Sequence, residues 1–368
     1  MALPFTTGFA GPQSVYIQST GFQGKLTTEL VISYARDPKK FAVNKLVTRT
    51  PTNYLSGYYP FLRPEALARD TASAWIDGQE RPRGTHNEQD FRMVTFNCQR
   101  VCKTAPLGWQ TREQAVWPIE TTQLGTLGHQ VMTRRSINFY TVAMDANQHL
   151  ASHVKTATAW SGIGGTGGFW SAGTSTNPII DRTLKQMANA IRMSTLDAVS
   201  YLELALVLTP PMAIAMSTAP EIHDYVARSP FARAQVLGDA PNFNYQWGLP
   251  EKLYGMTLVI DGTLRTTSPR LAVPGTFVDI PGLEVNGSDT TADNTALVCA
   301  LPGDLKDNVG QVTSQFSSFH MFVYRGEEMI TETISEQIHK RDLLSVSETY
   351  GISMVSPETC ALSTNCFS

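Results

Sequence analysis

His149 and His153 stand four residues apart, a spacing that can place two imidazoles on one helix face and so chelate zinc. Between them lie Leu150, Ala151 and Ser152, so the glutamate that serves as base in a helical zinc protease is missing and no third ligand is evident. A polar helix end explains the pair equally well. Cys98 and Cys102 have no second cysteine pair beyond them at metal spacing, which fits small, partly buried thiols. Gly162, Gly164 and Gly167 match G-x-G-x-x-G, a turn that lets backbone approach a pyrophosphate at a helix N-terminus. Gly168, Phe169 and Trp170 follow and open no helix, so a flexible surface loop is the expectation. Neither a G-x-x-x-x-G-K-[ST] run nor a G-x-S-x-G elbow occurs. Glu327 with Glu328, and Asp304 with Asp307, are acid pairs of the kind usually found solvated on turns. Asn286, Gly287 and Ser288 form a glycosylation sequon that is idle without secretion. No group of residues presents a catalyst, a metal or a cofactor site, so the chain is not expected to be an enzyme.

The elements that must carry these residues are bounded by composition. The chain has 368 residues, 42% of them apolar and only 17% charged, enough for a substantial core and suited to a surface consumed by contacts. The formal net charge of −3 lacks the basic excess that grips nucleic-acid phosphates. Five scattered cysteines, Cys98, Cys102, Cys299, Cys360 and Cys366, are too sparse for a disulfide scaffold and fit folding in a reducing cytosol. Met1 to Gly24 lacks the charged-then-apolar order of a signal peptide and reads as an ordered arm. The richest apolar window, Tyr201 to Met216, is broken by Glu203, Pro210 and Pro211, so no membrane span is expected.

Along the chain, Leu26, Leu30, Val31 and Tyr34 recur at helical spacing, which predicts a short amphipathic helix before the turn at Pro38. From Arg49 to Arg100 aromatic and charged residues alternate without a helical period. Gly78, Pro82 and Gly84 supply turn chemistry, and the segment reads as a long hairpin with too little apolar content for its own core. No nearby sequence offers a matching face, so a second copy of the chain is the expected support. Residues 120–149 predict the longest helix, with one stripe at Leu124, Leu127 and Val131 and a second, out of phase, at Ile137, Tyr140 and Met144. Asn177 and Pro178 predict the N-cap and first turn of another helix, with Ile180, Leu184, Met187 and Ile191 on one face. Apolar runs at Ala205–Leu208, Leu253–Ile260 and Thr295–Leu301 predict one mixed sheet, with helical stretches after Pro211 and Pro220. Phe319–Tyr324, Met329–Ile334 and Leu343–Val355 alternate as long antiparallel strands do. The fold class is α+β.

This order of elements resembles the major capsid proteins of tailed bacteriophages, the fold named for phage Hong Kong 97. F-A-V-N-K-L-V-T-R-T-P-T-N-Y-L-S-G-Y-Y-P-F-L from Phe41 is similar to the family's lead into its extended loop, and T-F-N-C-Q-R-V-C-K-T-A-P-L-G-W from Thr95 to its returning strand. N-P-I-I-D-R-T-L-K-Q-M from Asn177 and A-L-V-L-T-P-P-M-A-I-A-M-S-T-A-P-E-I-H-D-Y from Ala205 resemble the helix and strand near the start of the axial domain. L-P-E-K-L-Y-G-M-T-L-V-I from Leu249 resembles the strand that follows. The resemblance implies an N-terminal arm at residues 1–47, an extended loop at 48–100, a peripheral domain with a spine helix at 101–200, an axial domain with a mixed central sheet at 201–313, and peripheral strands at 314–368.

It also implies a shell protein that assembles into hexamers and pentamers around the double-stranded DNA of a tailed phage, as a virion component built in the host cytoplasm. Its implied partners are itself, a scaffolding protein, a portal, decoration proteins and, by nonspecific contact, packaged DNA; no membrane and no cofactor enter. The contact residues expected on the extended loop are Tyr58, Tyr59, Phe61, Arg63, Arg69, Trp75, Arg81 and Arg83, because aromatic and arginine side chains dominate interface energetics. No lysine lies between Lys45 and Lys103, so the loop-lysine isopeptide crosslink of some family members is not expected. Two alternatives remain: an encapsulin-like nanocompartment, which would hold a cargo peptide beside an N-terminal helix, and an oligomeric α+β enzyme with a pocket of convergent polar groups.

Overall fold

The computed structural model describes residues 14–18, 28–32, 41–62, 91–115, 119–162, 165–174, 176–228, 249–261, 263–266, 279–281, 294–306, 312–326 and 329–367. In chain order the main elements are β1 (Ser14–Gln18), β2 (Thr28–Ile32), α1 (Val43–Leu46), β3 (Val47–Thr52), β4 (Ser56–Leu62), β5 (Phe91–Asn97), β6 (Gln99–Gly108), α2 (Trp109–Gln114), α3 (Ile119–Ala143) and β7 (Val154–Thr156). After two short strands, β8 (Ser161–Gly162) and β9 (Gly165–Thr166), come α4 (Ile179–Ser194), β10 (Leu204–Leu208), α5 (Pro210–Thr218), α6 (Pro220–Arg228), β11 (Lys252–Leu253) and β12 (Met256–Ile260). The remainder is β13 (Leu264–Thr266), β14 (Asp279–Pro281), β15 (Ala296–Ala300), β16 (Gly303–Lys306), β17 (Val312–Phe316), β18 (Phe319–Tyr324), β19 (Ile330–Glu336), β20 (Arg341–Met354) and β21 (Cys360–Thr364).

Two sheets carry the fold. The first is mixed, in the order β11-β12-β10-β15-β21-β7, with β10 parallel to β12 and antiparallel to β15. Its strands read as unbroken apolar runs because both faces are covered. Leu204, Leu206, Leu208, Val298 and Ala300 pack under Ile180, Leu184, Met187 and Ile191 of α4 and Met212 and Met216 of α5. The alternate residues Ala205, Val207, Leu297 and Cys299 face Phe319, Met321 and Val323 of the second sheet. That second sheet runs β19-β20-β18-β3, with β6 on the other edge of β20. The C-terminal strand β21 pairs in the first sheet beside β15, so the chain returns there after completing the second.

Helix α3 bridges the layers through the predicted change of phase. Leu127 and Val131 pack on Leu107, Leu344 and Val346, whereas about two to three turns beyond Val131 Phe139, Tyr140 and Ala143 enter the core between the sheets. Tyr140 then donates its hydroxyl to Asp261 Oδ2 at 2.7 Å, joining the helix to the end of β12. The helix stops at Ala143 rather than reaching His149, because Asp145 accepts the N–H of Asn147 and starts a separate 3₁₀ turn at Ala146–Gln148.

Other expectations are corrected. The segment 26–34 contains a strand, Thr28–Ile32, antiparallel to β1; its i, i+4 apolar spacing suits a helix, but T-E-L-V-I is rich in β-branched residues and finds a partner strand. The run 253–260 is a tight hairpin turned by Tyr254 and Gly255, whose φ of +89° suits glycine. Asn177 does not cap α4. The buried Glu221 of α6 does so from 41 residues away, accepting the N–H groups of Ile180 at 2.8 Å and Asp181 at 3.0 Å and the Tyr254 hydroxyl at 2.9 Å. The glycine-rich loop is packed at two of its described residues: a side chain at Gly167 would run into the carbonyl oxygen of Ala157, and Trp170 is fully buried.

Candidate inter-subunit surface

The hairpin expected from composition exists in its described limbs. β4 and β5 pair antiparallel from Ser56↔Asn97 to Leu62↔Phe91, and after Cys98 the returning strand continues as β6 along β20. Period-two alternation divides the ribbon into two faces. On one, Tyr59, Phe61, Val94 and Phe96 lie against Phe322 and Val355 of the chain's own body. Gly57 opposes Phe96 in register, and a Cβ there would sit 3.1 Å from the ring, so glycine leaves the space in which Phe96 stacks on Phe322 at 4.4 Å. Tyr59 lies 5.3 Å from the ring of His320 and 5.5 Å from that of Phe322. From sequence alone, a second copy of the chain is the expected support for the hairpin. Its root is in fact supported by residues more than 200 positions away, which nothing local in the sequence reveals.

Three further contacts fix that root. Arg92 Nη1 meets Glu358 Oε1 at 3.1 Å. Cys98 donates its thiol to the Phe322 carbonyl at 3.4 Å. Gly351 of β20 lets the Asn97–Cys98 backbone cross closely, since a Cβ there would collide with the Asn97 carbonyl. His320 beneath the ribbon is 3% exposed, and its Nδ1 shares a hydrogen bond of 2.9 Å with the Thr50 hydroxyl. Burial pushes its pKa down to about 4, so it is neutral at neutral pH.

The opposite face is open and apolar. Tyr58 is 71% exposed, Met93 60% and Phe91 48%, and Tyr54 and Leu55 before the hairpin are exposed too. Of the contact residues expected from the sequence, Tyr58 lies on this face, whereas Tyr59 and Phe61 are half-buried against the body. Arg63, Arg69, Trp75, Arg81 and Arg83 lie outside the described residues. Tyr54, Leu55, Phe91 and Met93, outside that expected set, are exposed as well, and strand alternation outward from Tyr58, through its neighbours across the ribbon, puts Phe91 and Met93 on the same face.

No family model matches this sequence, and no curated protein does. Solved structures match at nearly full length. The capsid of Ralstonia phage GP4 superposes with a TM-score of 0.57 at 10% identity, covering 100% of this chain and 99% of that one. The capsid of cyanophage P-SCSP1u gives 0.56 at 11% identity, covering 95% and 93%. A phage-related protein from Bordetella bronchiseptica gives 0.55 at 11% identity, covering 89% and 93%. The chain has a tailed-phage capsid fold.

His149 and His153 lie beyond α3, each buried and each bonded to a backbone carbonyl, Nε2 to Ala143 O and Nδ1 to Cys360 O, both at 2.8 Å. Burial lowers both pKa values. No group of three metal-ligating side chains occurs among the described residues. Cys299 and Cys360 face each other in register between β15 and β21, fully buried, and burial raises both thiols, Cys360 to about 12. Cys98 is buried and Cys102 exposed. Among the described residues no helix is long and apolar enough to cross a membrane.

Proposed function

We propose that this chain is the major capsid protein of a tailed bacteriophage, assembling into the hexamers and pentamers of an icosahedral shell that encloses double-stranded DNA. The capsid fold over nearly the whole chain carries this reading. The outer face of the β4–β5 ribbon supports it, because Tyr58, Phe91 and Met93 form an exposed apolar strip suited to a neighbouring copy. Head-to-tail contact between unlike patches closes into rings and, with curvature, into a shell. In the same reading Arg63, Arg69, Trp75, Arg81 and Arg83 are further contact residues, proposed from residue type alone. In this reading the protein is a virion component assembled in the host cytoplasm and acts without catalysis. Scaffolding protein, portal, decoration proteins and packaged DNA are its further partners, the DNA held nonspecifically. A cargo compartment would call for a groove beside an N-terminal helix, and the elements described before residue 41 are the strands β1 and β2. Electron microscopy and sedimentation of the full-length protein test the proposal. Closed shells, or hexagonal sheets and tubes, are expected; a small oligomer that stays discrete as concentration rises overturns it.

A further inference from the structure

The chain leaves the first sheet through β15 and comes back to it through β21, and these two strands place Cys299 opposite Cys360. The ladders on either side fix what kind of pair this is. Leu301 donates its N–H to the Glu203 carbonyl at 2.9 Å, so by alternation Cys299 turns its own backbone groups toward β10. Cys360 turns its carbonyl the other way, accepting from His153 Nδ1 at 2.8 Å. Neither residue therefore bonds the other through the backbone, and the two form a non-hydrogen-bonded pair. In such a pair the Cα atoms stand about 4.5 Å apart with the side chains drawn together, inside the roughly 4.4–6.8 Å that a disulfide spans. Both side chains lie on the face that meets the second sheet, packed with Phe319 and Met321. Both are free thiols and fully buried. The other cysteines are elsewhere: Cys366 packs in the cluster under α4, Cys98 sits at the hairpin root and Cys102 is exposed. No third metal-ligating side chain joins the pair among the described residues.

We infer that Cys299 and Cys360 are a redox staple: in the presence of a low-molecular-weight disulfide they close an intrachain bond that ties β21 to β15. One thiolate attacks a sulfur of the oxidant R–S–S–R, forming a mixed disulfide and releasing R–S⁻. The second cysteine, as its thiolate, then attacks the protein sulfur of that mixed disulfide and expels the other R–S⁻. The two thiol protons end on the released thiolates, so two protein thiols and one R–S–S–R become one protein disulfide and two R–SH. Two electrons pass to the oxidant. The bond closes a ring of residues 299–360, which contains β18, β19 and β20 of the second sheet. A crosslink over so long a loop stabilises by restricting the unfolded chain. Burial keeps both thiols protonated at neutral pH, so the reaction waits for β21 to open, and the reduced pair persists where thiol reductants dominate. The pair lies within one chain, so the staple does not depend on the shell reading.

The test uses the full-length protein, purified in reductant and then equilibrated with oxidised glutathione at about pH 8, both in buffer and in urea just below the unfolding transition. Remaining thiols are alkylated in denaturant and the peptides mapped by mass. Cys299 and Cys360 are expected to escape alkylation and to be recovered joined, with a melting temperature raised by about 5 °C or more. Dithiothreitol reverses both changes. Cys299→Ser removes the bond and the rise, while Cys102→Ser leaves them in place. The staple is overturned if the two cysteines stay open to alkylation in both conditions, if each ends capped by glutathione, or if either joins a different cysteine or a second chain. An oxidised protein that melts where the reduced one does overturns it as well. Should Cys299→Ser fail to fold, the peptide map and melting of the unaltered chain decide alone.

Discussion

Arg135 of α3 and Glu348 of β20 meet in a two-point fork, Nε to Oε2 at 3.1 Å and Nη2 to Oε1 at 2.5 Å, with both side chains buried. The pair sits where α3 passes from one hydrophobic cluster to the next, and the third guanidinium nitrogen reaches Asn44 of α1. Removing one partner leaves an uncompensated buried charge. Glu348→Gln is therefore expected to cost about 3–5 kcal/mol in urea denaturation, whereas the double change Arg135→Met with Glu348→Leu costs less than that single change. A single change below about 1 kcal/mol would show the pair to be solvated in solution.

Glu221 supplies from α6 the cap that α4 lacks in its own sequence. Glu221→Ala is expected to lower stability by about 2 kcal/mol or more, since it strips two N–H groups and the Tyr254 hydroxyl of their acceptor. Asn177→Ala, at the position that sequence reasoning favours, is expected to cost about 0.5 kcal/mol or less. Thermal melts that reverse this order would refute the tertiary cap.

His320 gives the fold a pH dependence of definite sign. Its folded pKa of about 4 lies below the ordinary 6.5, so between these values the unfolded chain binds a proton that the folded chain does not. Stability is full above about pH 6.5 and falls as pH drops toward 4, by at most about 3 kcal/mol from this residue. Buried His149 and His153 act in the same direction. Urea denaturation at pH 7 and pH 4.5 should show a smaller difference for His320→Asn than for the unaltered chain; an equal difference would remove His320 as a source.

Gly351→Ala is expected to destabilise by about 1–3 kcal/mol, because its methyl group would press on the Asn97 carbonyl where the hairpin root crosses β20. Gly303→Ala, whose added Cβ lies 4.0 Å from its nearest neighbour among the described residues, serves as the comparison and should lie within about 0.5 kcal/mol of the unaltered chain. Equal effects in denaturant titrations would show that the crossing relaxes freely.

The two faces of the β4–β5 ribbon should separate assembly from folding. Tyr58→Ser and Met93→Ser on the open face are expected to leave the melting temperature unchanged while reducing the assembled fraction in sedimentation. Tyr59→Ser, beneath the ribbon against His320 and Phe322, is expected to lower the melting temperature itself. Unaltered assembly in both open-face variants would remove that face from the contact.

What the amino-acid order determined alone was the local and periodic part of the fold. The α4 stripe of Ile180, Leu184, Met187 and Ile191 is buried as its spacing predicts, and the phase change in α3 does place its halves on different surfaces. The apolar runs at Ala205–Leu208 and Thr295–Leu301 do lie in one mixed sheet, because a strand covered on both faces has to be apolar throughout; that they pair with each other was not legible. The alternation at Tyr58 and Tyr59 was legible too, but the sequence did not say which face met the body. Only the tertiary structure decided that. The partner of Phe96 is Phe322, the cap of α4 is Glu221, the counter-charge of Arg135 is Glu348, and the strand beside β15 is the C-terminal β21. Each joins residues 41 to 226 positions apart, or closes a sheet with the chain's last strand. Periodicity reports which side of an element is buried, whereas the choice of what buries it is made by the packing of the whole chain.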